Sequence, residues 1–298
     1  MRYRLMLLTA SLIWGSSFVM VKDITGVVSP AWLIACRFAA ATAIMVAATW
    51  RKRRLWLDPA YVRCALVLGL FYSAAWYTQT VGITFTTPGK NAFLTATYCV
   101  IVPFALWALF KRKPAGMSFI AAGLAVVGIG LITLDAGFSI NVGDVLTLIC
   151  AVFYALQIVF FDRYVEGRDA LVLIEMQFAV TGAINLVLAL ATEPVPAWAS
   201  LHVLDWASLA YLTVFCTTIA LVLQGVGQKH LPASTAALLL SLESVFGAAF
   251  SVALGAEVLT ARIVAGFVIV FAAVVVSELG PAWLAGRRMA RSEATRLG

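Results

Sequence analysis

The sequence predicts an all-α integral membrane protein of ten transmembrane helices, arranged as two inverted five-helix repeats. Three observations carry that expectation. Of 298 residues, 63% are hydrophobic and 12% charged, with a mean hydropathy of +0.98, whereas soluble domains are about half apolar and a quarter charged. The apolar residues fall into ten continuous runs, each near the roughly 20 residues that a helix needs to cross about 30 Å of hydrocarbon. The second half of the chain also repeats the first, and an odd number of spans per half gives the two copies opposite orientations in a bilayer.

The runs lie near 3–22, 30–50, 61–83, 88–110 and 115–134, then 142–162, 170–190, 205–227, 233–254 and 260–280. They lack the period-two alternation of barrel strands, so each reads as a helix. The first is too long for a usual signal-peptide core and has no persuasive small-residue cleavage site before Lys22, so it is expected to remain. The second holds Arg37 and the third Trp76, Tyr77 and Gln79. The fourth opens at Pro88, a position that a helix N-terminus accepts, and carries Asn91, Thr95, Thr97 and Tyr98. Pro103 inside it marks a candidate kink, because proline removes a backbone donor. The fifth follows Lys111-Arg112-Lys113, the sixth carries Tyr154 and Gln157, and the seventh carries Gln177. A Pro-rich linker at 191–204 is the longest connection, and no loop is long enough for a separate soluble domain. The eighth holds Gln224, with Gln228 just beyond. The ninth, opening at Pro232, has small residues at Ala233, Ala237 and Ser241, then Gly247, Ser251 and Gly255, a spacing that favours close helix contact. Glu243 lies near its middle.

The repeat is legible residue by residue. Cys36-Arg37-Phe38 precedes Met176-Gln177-Phe178 by 140 positions, as Trp14 precedes Tyr154. Gln79, Val81, Gly82, Ala92 and Leu94 recur as Gln224, Val226, Gly227, Ala237 and Leu239 at an offset of 145, and Gly123 recurs as Gly266 at 143. Four collinear blocks at nearly one offset divide the chain into residues 1–137 and 138–298, the second ending in a basic tail.

The formal charge of +7 does not read as a nucleic-acid footprint, because the basic residues sit beside spans. Arg2, Arg4, Arg51-Lys52-Arg53-Arg54, Arg63, Lys111-Arg112-Lys113, Arg163, Arg168, Lys229, Arg287, Arg288, Arg291 and Arg296 make 17 on one side of the membrane. Only Lys22, Lys90 and Arg262 fall on the other. Both termini are therefore expected in the cytoplasm. The five cysteines, Cys36, Cys64, Cys99, Cys150 and Cys216, show no metal or redox spacing and read as buried free thiols. No cofactor or metal is expected. The two histidines, His202 and His230, fall in loops on opposite sides, and no GxSxG, HExxH or Walker motif is present. An intramembrane enzyme or an ATPase is not expected; a channel or passive scaffold is the other rival.

Polar groups at membrane depth are costly and mark function or helix packing. Arg37, about seven residues below the outer boundary, offers a site for a substrate carboxylate, and Glu243 one for an ammonium group or a coupling proton. The structural alternative is an ion pair between them, or bonds to neighbouring helices. The offset of 145 carries Glu243 onto Tyr98, which sets both near a pseudo-two-fold axis, where inverted-repeat carriers bind substrate. Tyr77, Gln79, Asn91, Tyr154, Gln157, Gln177 and Gln224 are further candidate lining residues. Aromatic rings with single polar handles suit a small organic amphiphile better than a bare ion. The expected partners are thus that small molecule and the lipid bilayer, with no nucleic acid, and the expected state is a monomer or homodimer.

WGSSFVMVK at 14–22, Arg37 and QTVGITFTTPGKNAFLTATYCVIVP at 79–103 resemble the drug/metabolite transporter superfamily, and SLESVFGAAFSVALGAEVLTARIVAG at 241–266 resembles the end of an EamA-type domain. The resemblance implies a ten-helix carrier of the bacterial inner membrane, with substrate passing between the halves by alternating access and the fifth and tenth helices at the periphery. It leans toward export of an amino acid or a related zwitterionic or aromatic compound, with proton-coupled multidrug efflux as the alternative. It makes Glu257 a structural motif residue. Ser244 stands where the family often has proline, which puts a helix break there in doubt.

Overall fold

The computed structural model describes residues 1–114, 116–133, 140–256 and 260–276. The expected repeat boundary at 137/138, Glu257 and the tail residues Arg287, Arg288, Arg291 and Arg296 lie outside the described residues. Among the described residues the chain is helical, without strands. The helices are α1 (Arg2–Ile24), α2 (Pro30–Thr49), α3 (Pro59–Phe85), α4 (Pro88–Phe110), α5 (Gly116–Thr133), α6 (Val142–Val165), α7 (Ala170–Thr192), α8 (Val203–Gln228), α9 (Ala233–Ala253) and α10 (Ala261–Val276). Eight are long and apolar enough to cross a membrane; α5 and α10 are apolar but shorter, and α10 is described only to Val276.

Local chemistry fixes the helix starts. Pro30, Pro59 and Pro88 stand in the first turns of α2, α3 and α4, where proline's missing N–H costs nothing. The side chains of Asp58, Asn141 and Asp169 accept backbone N–H bonds of the first turns of α3, α6 and α7. α2 borrows its cap: Glu193, just past the end of α7, accepts from the N–H groups of Ala31 and Trp32 at 3.0–3.2 Å, a carboxylate at the positive end of a helix dipole.

Short links make successive helices antiparallel, and side-chain bonds identify the two ends. At the N-terminal end, Tyr3 stacks on His230 at 3.8 Å, Lys229 donates to the Arg168 carbonyl at 2.7 Å, and Lys52 pairs with Asp169 at 2.6 Å. At the far end, the Lys22 ammonium donates to the carbonyls of Ile83, Thr84 and Thr86 at 2.8–3.1 Å, closing the C-terminus of α3. Thr86 there donates to Asp144 at 2.5 Å.

Helices meet closely where side chains are absent. A Cβ on Gly143 would lie 2.5 Å from the Gly82 carbonyl oxygen, so α3 and α6 cross backbone to backbone. Gly15 faces Phe246 and Gly247, joining α1 to α9. α5 meets α10 at Gly128 and Gly266, whereas Gly123, the sequence counterpart of Gly266, has none of the described residues close against it. Gly255 joins no helix contact. With φ +70° it ends α9, the Ala256 N–H bonding back to the Ser251 carbonyl at 2.8 Å.

Candidate functional site

Two of the long helices are broken, and at matching places. α4 runs as Pro88–Ala96 and Tyr98–Phe110, turning at Thr97 with φ −62° and ψ −12°. α9 runs as Ala233–Ser241 and Glu243–Ala253, turning at Leu242 with φ −62° and ψ −13°. In each, the carbonyl of the turning residue accepts from the N–H groups three and four residues on, those of Val100 and Ile101 in α4 and of Val245 and Phe246 in α9. The α4 break precedes Pro103, the residue singled out as the kink, which sits inside the second piece. The α9 break forms without proline: Ser244 donates to the Ser241 carbonyl at 2.8 Å, satisfying an acceptor that the turn releases.

Beside these breaks lies an open-sided cavity, running from mid-molecule toward the far end. Of the residues proposed from sequence, Gln79, Asn91, Tyr98, Tyr154, Gln224 and Glu243 line it. Tyr154 donates to Gln79 Oε1 at 3.0 Å, and Gln79 Nε2 donates to Thr95 at 3.0 Å. Asn91 Nδ2 donates to Thr147 at 2.8 Å. The ring of Tyr154 packs against those of Tyr72 and Tyr98, with centroids 5.8 and 6.2 Å away.

Polar capacity is left over on the cavity wall. The Tyr98 hydroxyl, Asn91 Oδ1 and Trp76 Nε1 are buried with no hydrogen bond of acceptable geometry. Tyr98 and Glu243, 3% and 5% exposed, lie side by side, the hydroxyl near the carboxylate but outside good hydrogen-bond geometry. Glu243 is the one charged residue among those lining the cavity.

Arg37 is placed differently. It stands behind the wall, its guanidinium 4.6 Å from the centre of the Trp76 ring. Its Nε donates to Thr217 at 3.0 Å, and one terminal nitrogen reaches the Leu212 carbonyl at 3.4 Å. Both partners belong to a π-helical stretch of α8, Leu212–Ile219, whose wider turns leave carbonyls for side chains of other helices. Trp14 Nε1 uses another, that of Cys216, at 2.8 Å. Among the described residues no carboxylate lies within ion-pair distance of Arg37, so the pair with Glu243 entertained from sequence does not form.

Gln157 and Gln177 are also outside the main cavity. Joined by a 3.1 Å bond, they line a second, smaller cavity on the other side of Tyr72 and Gln224. Tyr77 lines neither, packing against the core around Phe38 and Phe178.

Sequence reasoning missed Tyr72, Thr80 and Ile83, and it valued Trp14 only as a repeat marker. The signal was present. Tyr72, Trp76, Gln79, Thr80 and Ile83 follow a helical spacing, so extending one face from Gln79 recovers all five.

Comparison with known proteins finds likenesses of sequence and of fold. The model of the EamA-like transporter family matches residues 1–134 and 141–279. A curated protein of Archaeoglobus fulgidus, described as an uncharacterised transporter, is 31% identical over 268 residues, covering 90% of this chain and 83% of that one. A protein of known crystal structure superimposes with a TM-score of 0.70 at 18% identity, covering 96% of this chain and 98% of that one, a likeness of fold.

Proposed function

The chain belongs to the EamA-like transporter family, and on that premise we propose that it exports a small organic metabolite, an amino acid or a related zwitterionic or aromatic compound, by alternating access. The observation that carries this reading is the cavity at the two helix breaks, aromatic in its walls and holding, among the described residues, a single carboxylate, Glu243. Buried polar atoms without partners cost about 1–3 kcal/mol each. An occupant that bonds Tyr98 and Asn91 and places an ammonium group on Glu243 relieves that cost. The rings of Trp14, Tyr72 and Trp76 supply apolar contact for its body.

Two inverted five-helix repeats, 1–137 and 138–298, account for the equal dihedral angles at Thr97 and Leu242, 145 residues apart. The two stretches matched by the family model support the same division. In this reading the N-terminal end faces the cytoplasm of a bacterial inner membrane and is closed by the Tyr3–His230 stack and the Lys229 and Lys52 bonds. The cavity then addresses the outside, and rocking of the halves opens the opposite end; binding shifts populations between the two states.

A second reading, proton-coupled efflux of organic cations, is favoured by one observation. Among the described residues no basic side chain lines the cavity, so a cation and a proton would compete for Glu243. Uptake of labelled amino acids and amines into proteoliposomes, with and without a pH gradient, separates the two. Saturable flux indifferent to the gradient supports a facilitator or exchanger, gradient-driven accumulation supports the second reading, and absence of flux for all compounds rejects both.

A further inference from the structure

We propose that the small cleft behind Tyr72 and Gln224 is a second station on the same path, a site for one water molecule or one polar group of a substrate in transit, gated by the Tyr72–Gln224 pair. The proposal rests on the transport reading above and adds a site to it.

The two cavities share Tyr72 and Gln224 as a common wall. Beyond that wall the lining comes from the halves of α6, α7 and α8 nearer the N-terminal end: Gln157, Gln177 and Gln228, with Gln228 the last residue of α8. It lies one residue before Lys229, whose bond to the Arg168 carbonyl helps to close that end. The second cavity therefore occupies the interval between the main cavity and the closed end.

Its chemistry is polar and uncharged. Gln157 and Gln228, 2% and 1% exposed, each leave a buried amide oxygen without a partner. One N–H of each amide is spent, on Gln177 Oε1 at 3.1 Å and on the Ile158 carbonyl at 3.3 Å, and the oxygens remain as acceptors. Among the described residues no charged side chain lines the space. Uncharged amides in a small volume take a water or a passing polar group, and hold neither tightly. The wall is correspondingly easy to open: Tyr72 donates to Gln224 Oε1 at 3.4 Å, a long bond and a weak one.

The test is labelling of Gln157→Cys and, separately, Gln228→Cys by 2-aminoethyl methanethiosulfonate, a small water-soluble ammonium reagent. The full-length protein is used with its native cysteines, and the adduct is located by peptide mass spectrometry. With Tyr72 intact, labelling is expected to be slow. Tyr72→Phe, which keeps the ring and removes only the donor, is expected to speed it about twofold, the shift that loss of one weak neutral hydrogen bond gives. No labelling at either position in the Tyr72→Phe background, or labelling at equal rates with and without the hydroxyl, overturns the proposal. Uptake into proteoliposomes is scored separately. A protein that labels as expected but moves no compound contradicts the transport reading, whereas one that transports without gated labelling contradicts only the second station.

Discussion

Tyr98 and Glu243, 145 residues apart, each stand directly after the residue at which their helix turns, and both line one cavity. Thr97 and Leu242 have the same φ, −62°, and ψ within one degree. The first residue after the turn is thus a phenol in one half and a carboxyl in the other.

That placement makes Tyr98→Phe informative. The hydroxyl is buried without a hydrogen bond of good geometry, so removing it is expected to leave thermal stability unchanged or slightly raised. Half-saturation of transport should rise about three- to tenfold, the value of one hydrogen bond to the occupant. Parallel melting and uptake curves check this; a stability loss with unchanged half-saturation would make Tyr98 a packing residue.

Arg37→Lys should act on the frame of the site and not on the substrate. Lysine cannot reproduce the planar contact with Trp76 while bonding Thr217, and a loss of about 1–3 kcal/mol of stability is expected. Because Arg37 stands behind Trp76, the variant should change half-saturation for phenylalanine and for phenethylamine, its counterpart without a carboxyl, by the same factor. A selective loss for phenylalanine would restore Arg37 as a carboxylate ligand.

Gly143→Val tests the crossing of α3 and α6. The new Cβ would lie 2.5 Å from the Gly82 carbonyl oxygen, a backbone atom with no freedom to move aside. Overpacking of this kind costs about 1–3 kcal/mol or more, read as a lower melting temperature and a lower folded yield in detergent. Gly123→Val, where nothing lies within 4 Å, is the control and should be near neutral.

Asp169 gives a pH dependence outside the helices. Burial pushes its carboxyl up, but the bonds from Lys52 and from the Val172 and Leu171 N–H groups outweigh burial and hold it below the usual aspartate value. A carboxyl depressed in the folded state contributes stability above its ordinary pKa, and that contribution fades as pH falls through the lowered value. Asp169→Ala should therefore cost about 1 kcal/mol at neutral pH and progressively less in acid, measured as melting temperature against pH.

The helices were legible because hydropathy and length dictate them, and the Tyr98–Glu243 relation because the repeat offset carries one onto the other. The break positions were not. Proline drew attention to Pro103 and its absence at 244 cast doubt on α9, yet both helices turn at ordinary residues, the second with a serine hydroxyl serving the released carbonyl. The partners of Arg37 were hidden for a related reason. A buried arginine reads as a ligand when the sequence shows no partner for it, and the partners here are a threonine hydroxyl and a backbone carbonyl of a π-helical turn that no residue pattern announces. Gln157 and Gln177 were grouped with the main cavity because spacing along a helix does not reveal the wall that Tyr72 and Gln224 build between two spaces.

The most direct measurement of the central claim is uptake of labelled amino acids and aromatic amines by proteoliposomes holding either the native protein or Glu243→Gln, with folding of both checked by melting. Saturable uptake by the native protein that falls at least about tenfold in a folded Glu243→Gln protein, the cost of losing a charge-assisted bond to an ammonium group, is the predicted result. Uptake by Glu243→Gln at the native rate would contradict a binding site centred on Glu243.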